Sequence, residues 1–156
     1  MRKLLALLLL AVALAGAGSA PVAARSVPSD PAKAAALDEV NRFRRQHGRA
    51  ALGYNVRLES AAGWLARDMY GRGYFSHTDS NGHDGGWRIR NAGYAWSRWA
   101  ENIAWGYATW RDAVVAWERS PAHRANLLDP RLKEIGLGSA VGVKGKYWVQ
   151  DFGRSR

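Results

Sequence analysis

The sequence predicts a domain of the α+β class. Apolar residues recur at helical spacing through most of residues 34–128, whereas two stretches of strand-forming residues near the C terminus flank a glycine-rich turn. About 130 residues follow the leader described below, which is enough chain for one hydrophobic core. We therefore predict a single domain at 34–153, with a linker at 25–33 before it and a basic tail at 154–156 after it.

The first 24 residues have the pattern of a secretory signal peptide. Arg2 and Lys3 precede an apolar run of leucine and alanine that ends in small residues. Cleavage after Ala17, Ser19 or Ala24 is compatible with the small or valine residue at the −3 position. The apolar run is shorter than the ~20 residues of a membrane-spanning helix, so we expect a secreted or periplasmic protein with no stable membrane span.

The chain is strongly basic and contains no cysteine. Its formal net charge is +10, and loss of Arg2 and Lys3 with the leader lowers this charge to +8. A positive surface favours anionic envelope polymers or lipid headgroups, whereas the scattered lysines and arginines do not form the stripe of a nucleic-acid-binding protein. Without disulfides, an exported domain must rely on packing. We expect a monomer.

The first half of the domain predicts two helices. The first begins near Ala34 and ends at Gly48. Asn55 is a good N-cap for the second helix, which Gly71 and Gly73 terminate. The apolar residues of the second helix recur over four turns: Leu58, Ala61, Ala62, Leu65 and Met69.

The segment after the second helix is rich in turn residues. Residues 79–86 contain aspartate, asparagine and glycine, which favour turns. They do not form a calcium loop, because the twelve-residue spacing that ends in glutamate is absent. A short helix is predicted from Trp87 to Gly93, before an aromatic run at Tyr94, Trp96 and Trp99.

Residues 100–128 carry a carboxylate and an imidazole at the two ends of a predicted helix. Thr109 is suited to cap the helix, with Asp112 in the first turn. The helix stops before Pro121, since the residue before a proline is pushed out of the α region. Glu101 therefore precedes the helix, and His123 is predicted on a turn just past its end.

The C-terminal region predicts a β-hairpin. Residues 135–141 and 147–152 resemble strands, and the turn between them is glycine-rich around 142–145. This hairpin is the sheet component of the predicted α+β fold.

Three separated segments resemble the bacterial branch of the CAP superfamily, the cysteine-rich secretory, antigen 5 and pathogenesis-related proteins. They are ENIAWG, SPAHRANLL and GKYWVQDFG, and the resemblance extends over residues 34–153. It implies a three-layer α-β-α sandwich with a small antiparallel sheet between helices. A shared fold does not carry chemistry with it, so function is a separate question.

The resemblance also implies a cleft with two histidines and two acids. His77, in a motif that matches the family's FxH, and His123 take the histidine positions, and Glu101 takes one acidic position. The second acid is replaced by Ser120, and Glu118 is not assigned its role, because helical geometry points it elsewhere. A further departure is that Ala100 stands where the family usually has glycine.

Two histidines and a carboxylate are ligand types that suit zinc, so His77, Glu101 and His123 are candidate metal ligands and candidate catalytic residues. Asn102, Ser120 and Arg124 are candidate supports of the cleft. A structural interpretation stays open: the imidazoles could be hydrogen-bonded across a packed cleft, and Glu101 could cap amides or pair with Arg124.

Eight tryptophans are present in this short chain. Trp64, Trp117 and Trp148 are predicted to be core residues. An exposed pair beside the cleft, from the cluster at 96–110, would suit stacking on a sugar ring or a lipid.

Two functions compete. The first is a binding module that engages an envelope polymer, a lipid or a protein partner through the polar cleft. The alternative is a metal-dependent, peptidase-like hydrolase that uses the same cleft. The chain contains no cysteine nucleophile and no serine in a recognisable elbow, which counts against the hydrolase. The sequence therefore favours the binding module.

Overall fold

The computed structural model describes residues 26–156. The predicted signal peptide and the first residue of the predicted linker lie outside the described residues. Within them the chain forms five helices and four strands. The helices are α1 (Pro31–Gln46), α2 (Val56–Arg72), α3 (Gly85–Asn91), α4 (Trp110–Arg119) and α5 (Pro121–Leu128), and the strands are β1 (Gly53–Tyr54), β2 (Trp96–Trp105), β3 (Glu134–Gly142) and β4 (Gly145–Ser155).

The four strands form one sheet in the order β1-β3-β4-β2. β4 pairs antiparallel with both β3 and β2. The two-residue strand β1 instead pairs parallel with β3, so the sheet is mixed at one edge. The predicted hairpin is confirmed, and its turn lies between Gly142 and Gly145.

The helices cover both faces of this sheet. On one face α1, α4 and α5 pack against β3 and β4 through a core that includes Phe43, Trp117 and Phe152. On the other face α2 packs against β2 and β4 through Leu65, Met69 and other apolar residues, and α3 extends this layer. The predicted three-layer α-β-α sandwich is confirmed.

Two glycines of β3 allow α2 to approach the sheet closely. A Cβ atom at Gly136 would overlap the backbone of Glu59, and a Cβ at Gly138 would overlap the backbone of Ala62. The absence of these side chains therefore determines the distance between α2 and β3.

The predicted helix caps are present. Asn55 accepts hydrogen bonds from the amides of Arg57 and Leu58 at the start of α2, and Gly73 ends this helix in the left-handed conformation, with φ 72°. At the start of α4, Thr109 and Asp112 form a reciprocal capping box.

Several elements differ from the sequence predictions, among them α3, which is formed by Gly85–Asn91 and so begins and ends two residues earlier than expected. Helix α1 begins at Pro31, because Asp30 caps it, so the last residues of the predicted linker are helical. Residues 96–105 form a strand, which the sequence did not predict because its apolar residues do not alternate. His123 lies in a helix, α5, and not on a turn, since Pro121 occupies the first helical turn, where its missing N–H costs nothing. β4 continues to Ser155, so most of the predicted tail pairs with β2.

The prediction of a buried Trp64 is wrong, whereas Trp117 and Trp148 are buried as expected. Trp64 is 37% exposed. The 100° rotation per residue places it off the face of α2 that contains Leu58, Ala62 and the other core residues.

No helix within residues 26–156 is long and apolar enough to cross a membrane.

Candidate functional site

The cleft lies at the exposed edge of β2, between the two helical layers. Glu101 and Asn102 are adjacent on this strand and have side chains on opposite faces of the sheet. Glu101 meets the loop after α2 and helix α3, whereas Asn102 meets α5, which contains His123. The strand therefore connects the two sides of the cleft.

His77 and Glu101 form a hydrogen-bonded pair. The distance from His77 Nδ1 to Glu101 Oε1 is 2.7 Å. Since a carboxylate only accepts, the Nδ1–H donates, and Nε2 carries the free lone pair in the neutral imidazole. The His77 side chain is 56% exposed, whereas that of Glu101 is almost fully buried. The imidazole thus faces solvent while its carboxylate partner belongs to the protein interior.

The cation beside Glu101 is Arg88, which the sequence analysis did not identify. Arg88 Nη2 donates to Glu101 Oε2 at 2.6 Å, and both side chains are buried. Arg88 also donates to the carbonyl oxygens of His77 and His83, which ties the loop after α2 to the cleft. The local sequence does not distinguish Arg88 from Arg90, a second arginine of α3 that faces solvent.

Helix α3 can bring Arg88 to Glu101 because its first residues are glycines. A Cβ at Gly85 would lie 2.6 Å from the Trp99 ring and 3.2 Å from Glu101 Oε2. Any larger residue there would push the start of α3 away from β2. The close approach of helix and strand therefore determines the geometry of the ion pair.

Asp151 lies opposite Glu101 on β4 and is a second acid that the sequence analysis missed. It is fully buried, and neither of its carboxyl oxygens has a donor among residues 26–156. Burial raises the pKa of Asp151 well above its ordinary value, and the charge of Glu101 raises this pKa further. The sequence signal that could have identified Asp151 was the position of an acidic residue within the largely apolar stretch Trp148–Phe152.

His123 is half-buried on the other side of the cleft. Its Nδ1 lies 2.8 Å from Ser120 Oγ, so the hydroxyl contacts the imidazole and does not cap α5. Burial lowers the pKa of His123, and the neighbouring His77 lowers it further. His123 is therefore biased toward its neutral form.

Asn102 connects α5 to the sheet. Its amide nitrogen donates to the His123 carbonyl oxygen and to Gln150 Oε1, both at 3.3 Å. Its side-chain oxygen accepts from Asn126 at 2.9 Å. Asn102 is fully buried, so this network positions the helix that contains His123.

Arg124 and Glu118 lie away from Glu101. Arg124 contacts the Glu118 carbonyl oxygen and His47, and its guanidinium lies over the Phe43 ring. It therefore connects α5 to α1, and the possible pairing with Glu101 is not formed. The Glu118 side chain faces Arg42 of α1 across 4.0 Å, as expected for a residue that has no place in the cleft.

The arrangement of His77, Glu101 and His123 does not fit a three-ligand zinc site. One oxygen of Glu101 accepts from His77 and the other accepts from the Arg88 cation, so each carboxylate oxygen already has a partner within the protein. Across the described part of the chain, no three histidine, cysteine, aspartate or glutamate side chains are grouped so that they could hold a metal ion.

An aromatic groove extends from His123 along the outside of α4. A depression of about 360 Å³ is lined by Phe75, Trp105, Tyr107 and His123, and the three aromatic side chains are exposed. It shares Tyr107 and Ala116 with a shallower depression of about 800 Å³. The second depression contains the exposed residues Arg111 and Arg119. We call the two together the α4 groove.

A model of the cysteine-rich secretory protein family, CAP, matches residues 37–152. YkwD of Bacillus subtilis, an uncharacterized protein, is 29% identical over 116 residues, which are 74% of this chain and 44% of that protein. The uncharacterized membrane protein YlbC of the same organism is 32% identical over 116 residues, which are 32% of its length. The chain thus spans less than half of each of these relatives.

Solved structures of bacterial proteins share the fold. An extracellular protein of Bacillus anthracis with an SCP domain superposes with a TM-score of 0.70 at 27% identity, over 83% of this chain and 45% of that one. An outer surface protein of Borrelia burgdorferi superposes with a TM-score of 0.76 at 21% identity, over 83% and 97% of the two chains.

Proposed function

This chain belongs to the cysteine-rich secretory protein (CAP) family, and from that premise we propose that it is an exported binding domain for an anionic envelope polymer. Its structural relatives include bacterial proteins described as extracellular or as outer surface proteins. This supports a secreted or periplasmic location, as does the leader-like sequence of the first 24 residues. The basic charge of the chain suits a ligand of opposite sign.

The α4 groove is the observation that carries this proposal. Trp105 is 56% exposed, and Phe75 and Tyr107 are exposed beside it. Large aromatic side chains are usually buried, so three exposed ones around a single depression mark a surface that gains free energy when a ligand covers it. Their flat faces suit the apolar face of a sugar ring or an acyl chain.

The charge in the groove favours an extended anionic chain over a compact ligand. Arg111 and Arg119 lie in the second depression, beyond Tyr107, together with Asp112, whose carboxylate accepts from the Thr109 amide and hydroxyl. A polymer that stacks on Trp105 could therefore place its acidic groups against these guanidinium groups, which bind phosphate and carboxylate oxygens well. His123, whose pKa is lowered, would contribute a neutral hydrogen-bonding group at one end.

A hydrolase is the second candidate, and the hydrogen bond between His77 and Glu101 is the observation that favours it. A carboxylate that accepts from Nδ1 orients an imidazole and leaves Nε2 as a possible general base. A water molecule would then be the nucleophile. A metal-dependent version is less well supported, because both oxygens of Glu101 are already engaged.

Co-sedimentation of the mature domain with defined polymers tests the binding function. We expect binding to a polyglycerol phosphate and to polygalacturonate but not to uncharged dextran, with affinity that falls as salt rises. Trp105→Ala and the double variant Arg111→Ala/Arg119→Ala should each weaken binding at least tenfold. The matched control is Arg57→Ala/Arg67→Ala, which removes the same charge from exposed positions of α2, in the opposite helical layer.

If the two double variants lose the same amount of affinity, binding depends only on the overall charge of the protein. The α4 groove would then not be the binding site. Binding to anionic lipid vesicles but not to either polymer would reassign the ligand to a membrane surface. Hydrolysis of a polymer or peptide that is lost in His77→Gln would support the hydrolase function. Calorimetry with zinc on the same variant would distinguish a metal-dependent hydrolase from a metal-independent one.

A further inference from the structure

A second pocket lies between α2 and α3, on the opposite side of the sheet from α4. It has a volume of about 380 Å³ and shares no lining residue with the α4 groove. Six of its lining residues carry the argument: Ser60, Trp64, Asn81, Trp87, Arg88 and Asn91. We call it the α2–α3 pocket. Its volume is in the range of sites that hold small organic ligands.

Two exposed indoles form part of the wall. Trp64 is 37% exposed and Trp87 is 42% exposed, although each is large enough to gain from burial. They come from different helices and line the same cavity. Flat apolar surfaces of this kind suit a ligand that has a flat apolar face of its own.

The orientation of Trp87 is held by the protein before any ligand arrives. The His83 ring stacks on it with 3.6 Å between centroids and 5° between planes. His83 is held in turn by Asp79, whose buried carboxylate accepts from the His83 amide at 2.9 Å. Stacking covers one face of the indole and leaves its other face for contact with a ligand. A pre-positioned ring loses little conformational entropy on binding.

The exposed polar groups of the pocket are neutral. Ser60, Asn81 and Asn91 are exposed, so their hydroxyl and carboxamide groups can donate to and accept from a ligand. Arg88 supplies the one cation of the lining, but its charge is balanced by Glu101 in a buried ion pair. The chemistry therefore favours a ligand that is polar and uncharged.

Arg88 also has an unused donor. It is 3% exposed, and its Nε–H has no acceptor among residues 26–156, although both terminal nitrogens are engaged. A buried donor without a partner costs free energy. No described residue supplies that partner, and the Nε atom itself is enclosed by the protein.

We propose that the α2–α3 pocket is a second binding site, which takes a ring of a neutral sugar. The apolar face of a pyranose would stack on Trp87 and contact Trp64, and its hydroxyl or acetamido groups would bond to Ser60, Asn81 and Asn91. This assignment does not rest on the function of the α4 groove, because the residues and the charge of the ligand differ between the two sites.

Titration of the mature domain with triacetylchitotriose, a neutral acetamido sugar, tests this proposal. The measurement is the ¹H–¹⁵N spectrum, in which the indole N–H signals report on each tryptophan separately. We expect saturable shifts of the Trp64 and Trp87 signals below about 10 mM sugar, a concentration that fills a 1 mM site to about nine-tenths. Cellotriose, which lacks the acetamido groups, shows whether those groups contribute.

Trp64→Ala and Trp87→Ala should each weaken sugar binding at least tenfold, and Asn91→Ala should weaken it severalfold. Trp105→Ala is the matched control, since it removes an exposed indole from the α4 groove, and sugar affinity should be unchanged. Thermal melts and the dispersion of the same spectra verify that each variant is folded.

The proposal is overturned if neither sugar produces saturable shifts at Trp64 and Trp87 in the parent protein. It is also overturned if Trp105→Ala alone abolishes binding, which would move the sugar to the α4 groove. Tighter binding of trigalacturonate than of either neutral sugar at this pocket would contradict the uncharged ligand. Loss of polymer binding in the α4 groove variants leaves all these outcomes unaffected.

Discussion

Glu101 and Asp151 face each other directly across β2 and β4, and both are buried. Two carboxylates in such proximity repel each other, so the ionisation of both is unfavourable. Desolvation of Asp151 and the adjacent charge of Glu101 raise its pKa, so Asp151 is the group that holds the proton. Glu101 then keeps the negative charge that the Arg88 cation balances.

Asp151→Asn should make the protein more stable relative to the parent as pH rises. The folded-state pKa of Asp151 lies above its unfolded value near 3.9, so its contribution is fully present below that pH and is lost as pH rises toward the folded pKa. Each pH unit in that window costs the parent about 1.4 kcal/mol. Asparagine is nearly isosteric with aspartic acid, and it does not titrate. Urea unfolding at several pH values measures how the free energy of unfolding depends on pH in the parent and in the variant. The same pH dependence in both proteins would mean that Asp151 is ionised in the folded state.

Glu101→Gln should destabilise the protein by about 3–5 kcal/mol, because it leaves the buried Arg88 without its carboxylate partner. Glu39→Gln is the matched control: the same substitution breaks a hydrogen-bonded pair with the solvent-exposed Arg42, and solvent screening should make its effect on stability much smaller. Chemical denaturation gives both values. Equal stability of Glu101→Gln and the parent would show that the ion pair contributes nothing to the fold.

Gly136→Ala should prevent stable folding or cost several kcal/mol, since the added Cβ would overlap the backbone of α2 at Glu59. Gly71→Ala is the control, because nothing lies within 4 Å of a Cβ there and Gly71 is within a helix. It should stabilise by about 0.5–1 kcal/mol. Thermal melts of both variants check the prediction, and a mild effect of Gly136→Ala would place α2 farther from the sheet than described.

His123→Gln should reduce the loss of stability at acid pH. The pKa of His123 is lowered by burial and by His77, so the folded state favours the neutral ring. Its contribution is present above the unfolded pKa near 6.5 and is lost as pH falls through the lower folded value. Glutamine can still hydrogen-bond to Ser120 but does not titrate. Unfolding between pH 7.5 and pH 5 compares the two proteins, and an unchanged acid dependence would place the titrating group elsewhere.

The elements of the fold with strong local signals were predictable. Asn55 and Gly73 delimit α2 as expected, and the Thr109 cap begins α4, because helix ends depend on a few residues near in sequence. The three-layer arrangement of helices and sheet was predicted from the resemblance to the family. Strand β2 was missed, since it lies at an edge and its residues face neighbours that are distant in the chain.

The sequence by itself determined the class of fold, the helix caps and the hairpin, because periodicity and capping are local properties. It also identified His77, Glu101 and His123, through segments that resemble a family. Only the tertiary structure decided what surrounds them. Arg88 and Asp151 lie 13 and 50 residues from Glu101 in the sequence, and the packing of α3 and β4 against β2 brings all three groups together. Burial then determines which of them holds a proton. Burial depends on contacts between residues that are far apart in the chain, and no local sequence pattern encodes such contacts.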